Sequence, residues 1–171
     1  MQRRAFLAFA ASSASLALIS LNGCGFALRK APDFAFTTLY SSLPESSPLG
    51  VELRRSLEAT RKVKVISDAG RINEAQVILE VLLDQREKVV LSLNATGQVR
   101  EFQLRLRFRF RLRTPAGKDL IPASEIALQR DISFNESAVL AKEAEENLLY
   151  RDMQSDVVQQ IMRRLAAVKE L

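Results

Sequence analysis

The chain has 171 residues, a length that supports one domain with a hydrophobic core of its own. It carries 25 Lys and Arg against 20 Asp and Glu, a net charge of +5, and it contains one Cys, no His and no Trp. These counts exclude an internal disulfide, catalysis by a histidine base and a structural zinc site built from cysteines and histidines.

The first 23 residues are typical of a secretory signal peptide. Met1–Arg4 is basic, and the uncharged segment from Ala5 to Leu21 is shorter than the roughly 20 residues that a membrane-spanning helix needs. Gln2–Leu7 is compatible both with general secretion and with twin-arginine export. We predict a signal peptide over residues 1–23 and leave the export route open.

The signal ends at a lipid-attachment sequence. Leu21-Asn22-Gly23-Cys24 resembles the bacterial lipobox, which predicts cleavage before Cys24 and acylation of that residue. Several acyl chains on one residue hold a protein stably at a membrane. Gly25 stands where proteins retained in the inner membrane commonly carry Asp, so the resemblance implies the outer membrane. We predict that residues 24–33 form the lipidated Cys and a tether.

The first half of the predicted domain, residues 34–171, contains a strand and a helix. Phe34–Tyr40 is rich in aromatic and Thr residues, as strands are. Ser47 followed by Pro48 predicts a helix start, with Ser as the N-cap. The helix continues with apolar residues at helical spacing, which are Leu49, Leu53 and Leu57. Val63–Ile66 is a short extended piece, and a loop follows.

The second half predicts three strands and a long helix. The expected strands are Gln76–Leu83 continuing through Lys88–Leu93, then Val99–Arg113 and Leu120–Phe134, with turns at Asn94–Gly97 and Thr114–Lys118. Apolar residues then recur at helical spacing over residues 138–168, namely Leu149, Met153, Val157, Ile161, Leu165 and Val168. The sequence therefore predicts an α+β fold with two helices packed on one face of a four-stranded mixed sheet, in the order β-α-β-β-β-α. The first strand–helix–strand unit is expected to pair in parallel.

Five arginines alternate with apolar residues in the Val99–Arg113 strand, and we call them the arginine ladder. Its members are Arg105, Arg107, Arg109, Arg111 and Arg113. Because side chains alternate between the faces of a strand, all five guanidinium groups share one face and repel one another. Acids on neighbouring strands can neutralise them, and the candidates are Glu80, Asp84, Glu125 and Asp131. A charged edge strand that discourages aggregation and a surface that binds a polyanion remain as alternatives.

The sequence offers no constellation for conventional catalysis. With no His and with its single Cys at the lipid-attachment position, the chain cannot form a Ser–His–Asp or Cys–His arrangement. We therefore predict that the protein is not an enzyme and uses no cofactor or metal. Nucleic acid is not an expected partner, because the protein is exported and no aromatic stacking platform accompanies the arginines.

Four segments of the chain carry a combined signal. They are Cys24–Arg29, the Gly97-Gln98 turn with Glu101–Leu104, Arg130–Phe134 with Leu140–Glu143, and the helix segment from Asp152 to Leu165. Their order and spacing resemble those of the LptE family, the lipoprotein partners of the lipopolysaccharide-assembly barrel LptD. The resemblance implies two helices on a four-stranded sheet. It also implies a plug inside the barrel, where the protein supports barrel assembly and helps place lipopolysaccharide in the outer leaflet.

The resemblance further implies basic residues that bind lipopolysaccharide. Lys142 matches the family by its position in Leu-Ala-Lys. A basic residue that relatives carry just before the Gly97 turn is missing, and Arg100, beyond the turn, is the substitute that we expect. Arg105, Arg107 and Arg109 are further candidates for contacts with lipid A phosphates, or for contacts with acids of the barrel wall. The alternatives are a free lipoprotein that binds an anionic envelope ligand and a purely structural stabiliser of a barrel.

Overall fold

The computed structural model describes residues 32–171, so the predicted signal peptide, Cys24 and nearly all of the tether lie outside the described residues. The helices and strands are, in chain order, β1 (Thr38–Ser41), α1 (Pro48–Glu58), β2 (Lys64–Ile66), β3 (Val77–Leu93), β4 (Val99–Arg113), β5 (Asp119–Ser133) and α2 (Val139–Ala167). Two short 3₁₀ helices, Ala69–Glu74 and Glu136–Ala138, precede β3 and α2.

One mixed sheet holds all five of these strands, in the order β2-β1-β3-β4-β5. β1 pairs in parallel with both β2 and β3, and β3, β4 and β5 form an antiparallel meander. The predicted α+β class with a single mixed sheet is confirmed. The predicted four strands and the element order are wrong, because Lys64–Ile66 forms an additional edge strand beside β1. A three-residue strand is too short to show the alternation by which strands are recognised in a sequence.

Local sequence signals account for the starts and turns of the long elements. The Ser47 hydroxyl accepts a hydrogen bond from the Gly50 amide at 3.3 Å, so Ser47 caps α1 as predicted. In the β3–β4 turn, the Asn94 side chain accepts hydrogen bonds from the amides of Thr96 and Gln98 at 3.0 and 2.9 Å. Gly97 has a φ of +85°, a conformation that residues with a Cβ rarely adopt.

The core lies between the two helices and the apolar face of β4. That face consists of Leu104, Leu106, Phe108, Phe110 and Leu112, all fully buried. The helices contribute Leu49, Leu53 and Leu57 from α1 and Met153, Val157, Ile161 and Leu165 from α2. The predicted helix faces are thus the buried ones. Among residues 32–171, no helix combines the length and the apolar character needed to cross a membrane.

A polar network joins the two helices to β3 through the buried side chain of Gln154. Its amide oxygen accepts a hydrogen bond from the Arg86 guanidinium at 2.8 Å, and its amide nitrogen donates to the Glu52 carboxylate at 2.7 Å. The Tyr150 hydroxyl donates a hydrogen bond to the Glu87 carbonyl at 2.6 Å. This bond holds α2 against β3 one helical turn before Gln154. Buried polar groups that find partners in this way define one register of the helix on the sheet.

A β-bulge in β3 reverses which side chains face the helices. The register shifts between Val81 and Leu83, so Glu80 lies opposite Arg111 while Asp84 lies opposite the buried Phe108. Asp84 therefore lies on the helix side of the sheet and not beside the arginine ladder, contrary to expectation. Burial raises the pKa of the Asp84 carboxyl, and the neighbouring Arg86 only partly opposes that shift.

Candidate functional site

A cleft opens where the first turns of α2 leave the sheet, at the end of the molecule formed by the β3–β4 turn and the C-terminal end of β5. We call it the distal cleft. Its volume is about 220 Å³, and it is lined by Lys88, Phe102, Ile132, Ser133, Phe134, Val139, Lys142, Glu143 and Glu146. The lining combines apolar and aromatic side chains with two ammonium groups and two carboxylates.

Lys142, which the sequence analysis singled out, projects into this cleft from α2. Its ammonium group donates hydrogen bonds to the Ser133 hydroxyl at 3.0 Å and to the Glu145 carboxylate at 2.8 Å. The side chain is 22% exposed, so the charge is partly withdrawn from water but still reachable from the cleft. The helix and the end of β5 together hold the ammonium group in place.

Lys88 is the second cation of the distal cleft, and the sequence analysis missed it. Its ammonium group lies 2.6 Å from the Glu146 carboxylate of α2 and 4.3 Å from the centroid of the Phe102 ring. Phe102 packs edge-on against Phe134, with ring centroids 5.3 Å apart. In the sequence Lys88 is one charge in a strand rich in charges, so no local signal distinguishes it from an ordinary exposed lysine.

Several exposed apolar side chains lie on β3 and α2, two of the elements that line the distal cleft. Leu140 is 82% exposed in the first turn of α2, and Leu93 is 57% exposed beside the β3–β4 turn. Val90 and Leu91 of β3 and Val139 and Leu148 of α2 are exposed as well. Exposed apolar side chains near a cleft make it better suited to an apolar ligand or a partner.

Arg100 lies near the distal cleft but is not among the residues that line it. It is exposed and lies in an irregular part of the β3–β4 pairing, where Ser92 faces Glu101 and Leu93 faces Val99. Its carbonyl accepts a hydrogen bond from the amide of Phe134, a lining residue, at 2.7 Å. Its guanidinium group forms no ion pair with any of residues 32–171.

The arginine ladder covers the face of the sheet opposite the helices, because its residues alternate with the buried residues of β4. Glu80 of β3 accepts hydrogen bonds from Arg111 at 2.5 Å and from Arg113 at 2.6 Å. Burial disfavours the charged form of Glu80, but these two hydrogen bonds outweigh it and hold its pKa below the usual value. On β5, Glu125 accepts from Arg107 at 2.8 Å, and that bond lowers the pKa of the Glu125 carboxyl.

The remaining two arginines of the ladder are held less firmly. Arg105 donates to the Gln103 side chain at 2.8 Å, and Gln103 donates in turn to Asp131 at 3.0 Å. Arg109 lies opposite Glu125 in the β4–β5 register but has no ion pair among the residues that the structure describes. Cross-strand acids thus pair with three of the five arginines, so the ladder is less basic than the sequence of β4 suggests.

The chain is similar to known proteins over most of its length. The LptE family, described as Lipopolysaccharide-assembly, matches residues 36–165. The LPS-assembly lipoprotein LptE of Pectobacterium atrosepticum is 30% identical over 155 residues, which cover 90% of this chain and 82% of the relative. That of Yersinia pestis is 31% identical over 157 residues, 90% of this chain and 73% of the relative.

Solved structures agree with this similarity. An uncharacterized lipoprotein B from Nitrosomonas europaea superposes with a TM-score of 0.70 at 36% identity, over 84% of this chain and 92% of that protein. The rare lipoprotein B of Shewanella oneidensis has a TM-score of 0.62 at 27% identity, over 77% of this chain and 93% of that protein. The sequence and the fold lead to one conclusion, that this chain belongs to the LptE family of lipopolysaccharide-assembly lipoproteins.

Proposed function

We propose that this protein is a non-catalytic outer-membrane lipoprotein that binds lipopolysaccharide in the distal cleft and plugs an LptD-type β-barrel. Membership of a lipopolysaccharide-assembly family supports the assembly role. The observation that carries the ligand assignment is the cleft itself, whose lining combines Lys142 and Lys88 with apolar and aromatic side chains. Phosphate groups attached to acyl chains require this combination of a cation and an apolar surface.

Within this proposal, Lys142 is the primary phosphate contact and Arg100 is a peripheral one. Lys142 is partly buried and lines the cleft, whereas Arg100 is exposed beside it. Arg105, Arg107 and Arg109 are proposed to contact the partner barrel or ligand phosphates from the open face of the sheet. Of these three, Arg109 has no ion pair within residues 32–171, so it is the most available for an acid or phosphate of a partner.

The membrane anchor and the partner are tested together by affinity purification. Full-length protein with a C-terminal tag is purified from detergent-solubilised outer membrane, and the co-purifying proteins are identified by mass spectrometry. A stoichiometric large β-barrel that resists high salt supports the plug. Recovery of the lipoprotein with lipopolysaccharide but no barrel would favour the free lipoprotein that binds an anionic ligand. Recovery with a barrel and without lipopolysaccharide binding would favour the structural stabiliser.

The ligand site is tested with Lys142→Gln in the full-length protein. Removing a charged hydrogen bond to a phosphate typically costs about 1.5–3 kcal/mol, so we expect lipopolysaccharide to bind roughly ten- to a hundredfold more weakly. Lys62→Gln is the matched control, because Lys62 forms an exposed ion pair with Asp33 far from the cleft. Titration of each variant with lipopolysaccharide measures the affinity. Equal affinity of all three proteins would remove Lys142 from the site.

A further inference from the structure

We propose that Lys88 is a second phosphate-binding cation in the distal cleft. The Glu146 carboxylate pairs with the Lys88 ammonium group until a phosphorylated amphiphile displaces that carboxylate. This inference rests on the proposed function, since it concerns the same cleft, and it adds a residue, an intramolecular competitor and a ligand chemistry. The occupant is a lipid that carries a phosphate monoester.

The geometry of Lys88 supports the exchange. Its ammonium group is 2.6 Å from the Glu146 carboxylate, with 36% of the lysine side chain and 21% of the glutamate side chain exposed. An ion pair that is open to solvent on one side contributes little free energy, so a stronger anion can replace the carboxylate. A phosphate carries more charge than a carboxylate and offers more acceptor oxygens.

The Phe102 ring, supported by Phe134, keeps Lys88 in place during this exchange. The ammonium group lies 4.3 Å from the centroid of the Phe102 ring, and Phe102 is held by its edge-on contact with Phe134. The cation therefore keeps a favourable contact when it releases Glu146. The same ring belongs to the lining of the cleft, so it can also receive the apolar part of the ligand.

The two lysines of the distal cleft reach it from different elements, and each is paired with a glutamate of α2. Lys142 of α2 is bound to Glu145, and Lys88 of β3 is bound to Glu146. Adjacent glutamates thus neutralise both cations. An entering phosphate that bridges the two ammonium groups releases both carboxylates toward solvent. The ligand class follows from this arrangement, because a single carboxylate brings too little charge to displace two glutamates.

The experiment uses full-length protein in nonionic detergent and three probes, namely lipopolysaccharide, the same lipid after enzymatic dephosphorylation, and inorganic phosphate. We expect Lys88→Gln to weaken binding of lipopolysaccharide about tenfold and Lys88→Arg to retain most of it. We expect Glu146→Gln to bind about threefold more tightly, because the competing carboxylate is gone. None of the three substitutions should change binding of the dephosphorylated lipid.

Matched controls come from the exposed Lys62–Asp33 pair, in which Lys62→Gln and Asp33→Asn remove the same charges far from the cleft. If Lys142→Gln weakens binding while Lys88→Gln and Glu146→Gln do not alter it, the inference is overturned and the proposed function stands. If the wild-type protein binds no lipopolysaccharide, the proposed function fails. If inorganic phosphate competes as well as the lipid does, the site takes free phosphate and the amphiphile assignment is wrong. A melting temperature measured for each variant separates loss of binding from loss of the fold.

Discussion

The ion pairs of the arginine ladder differ in strength from one residue to the next. Glu80 is the best held of the acids, because it accepts hydrogen bonds from two arginines and its side chain is only 22% exposed. Glu125 has one arginine bonded to it and lies in a more exposed position. Surface ion pairs contribute little unless several charges form a network, so Glu80 is where the ladder gains stability.

Glu80→Gln is expected to lower the free energy of unfolding by about 1 kcal/mol near neutral pH, after allowance for solvent screening of the partly exposed arginines. The pKa of Glu80 is lower in the folded chain than its ordinary value of 4.5. The stabilisation is therefore fully present above about pH 4.5 and is lost as the pH falls through the folded pKa. Denaturant unfolding of both proteins between pH 7 and pH 3 measures this difference. Glu74→Gln, which breaks an exposed pair with Arg71, is the control and should have a smaller effect.

At the scale of elements, the two faces of β4 differ: one packs against the helices and the other carries the arginine ladder. Its even-numbered residues from Leu104 to Leu112 are fully buried against the helices, and its odd-numbered arginines lie on the opposite face. Period-two alternation over a whole strand fixes the register strongly, because a shift by one residue would bury the guanidinium groups. The two glycine turns on either side, with φ of +85° at Gly97 and +92° at Gly117, connect β4 to its neighbours.

Neighbouring residues of β4 should therefore respond very differently to truncation. Phe108→Ala removes a fully buried ring and should destabilise the domain by about 3–5 kcal/mol. Arg109→Ala removes an exposed side chain with no ion pair among residues 32–171, and its effect on stability should stay within about 0.5 kcal/mol. Urea unfolding of the two variants provides the comparison. A loss of more than 1 kcal/mol in Arg109→Ala would show that the ladder is mainly a stability device.

At the scale of the whole molecule, the strands hold the distal cleft far from the point where the described chain begins. The residues before β1 lie beside the start of β3, since Thr37 is hydrogen-bonded to Gln76 at 2.7 Å. Lys88 is eleven residues further along β3 than Val77, a distance of about 36 Å at a rise of roughly 3.3 Å per residue. The distal cleft therefore lies toward the opposite end of β3 from Thr37.

Cys24→Ser should release the protein from the membrane without changing the domain, because Cys24 precedes the predicted domain in the sequence and supplies the predicted acyl attachment. Fractionation of cells that lack the proposed partner barrel, followed by immunoblotting, measures the change, with the variant expected among soluble envelope proteins. Gly25→Asp keeps the lipid and serves as the control, with the protein expected in the inner membrane. Continued sedimentation of Cys24→Ser with outer membranes in cells that lack the barrel would refute lipid anchoring through Cys24.

Local chemistry is what the sequence by itself determined. The Ser47-Pro48 start of α1, the Asn94–Gly97 turn, the alternation of β4 and the period of α2 depend on residues close together in the chain, and the structure shows all four. The identity of Lys142 as a candidate ligand residue also came from the sequence, through a resemblance spread over short segments. These features are local or carried by motifs, so no knowledge of distant contacts was needed.

Contacts between distant parts of the chain were decided only by the tertiary structure. β2 is a strand solely because β1 pairs with it, and Asp84 faces the helices solely because a bulge in β3 shifts the register. Lys88, Phe102 and Glu146 meet because the β3–β4 pairing and the docking of α2 bring together residues up to 58 positions apart. Such contacts depend on long-range burial and register, which no short window of sequence contains.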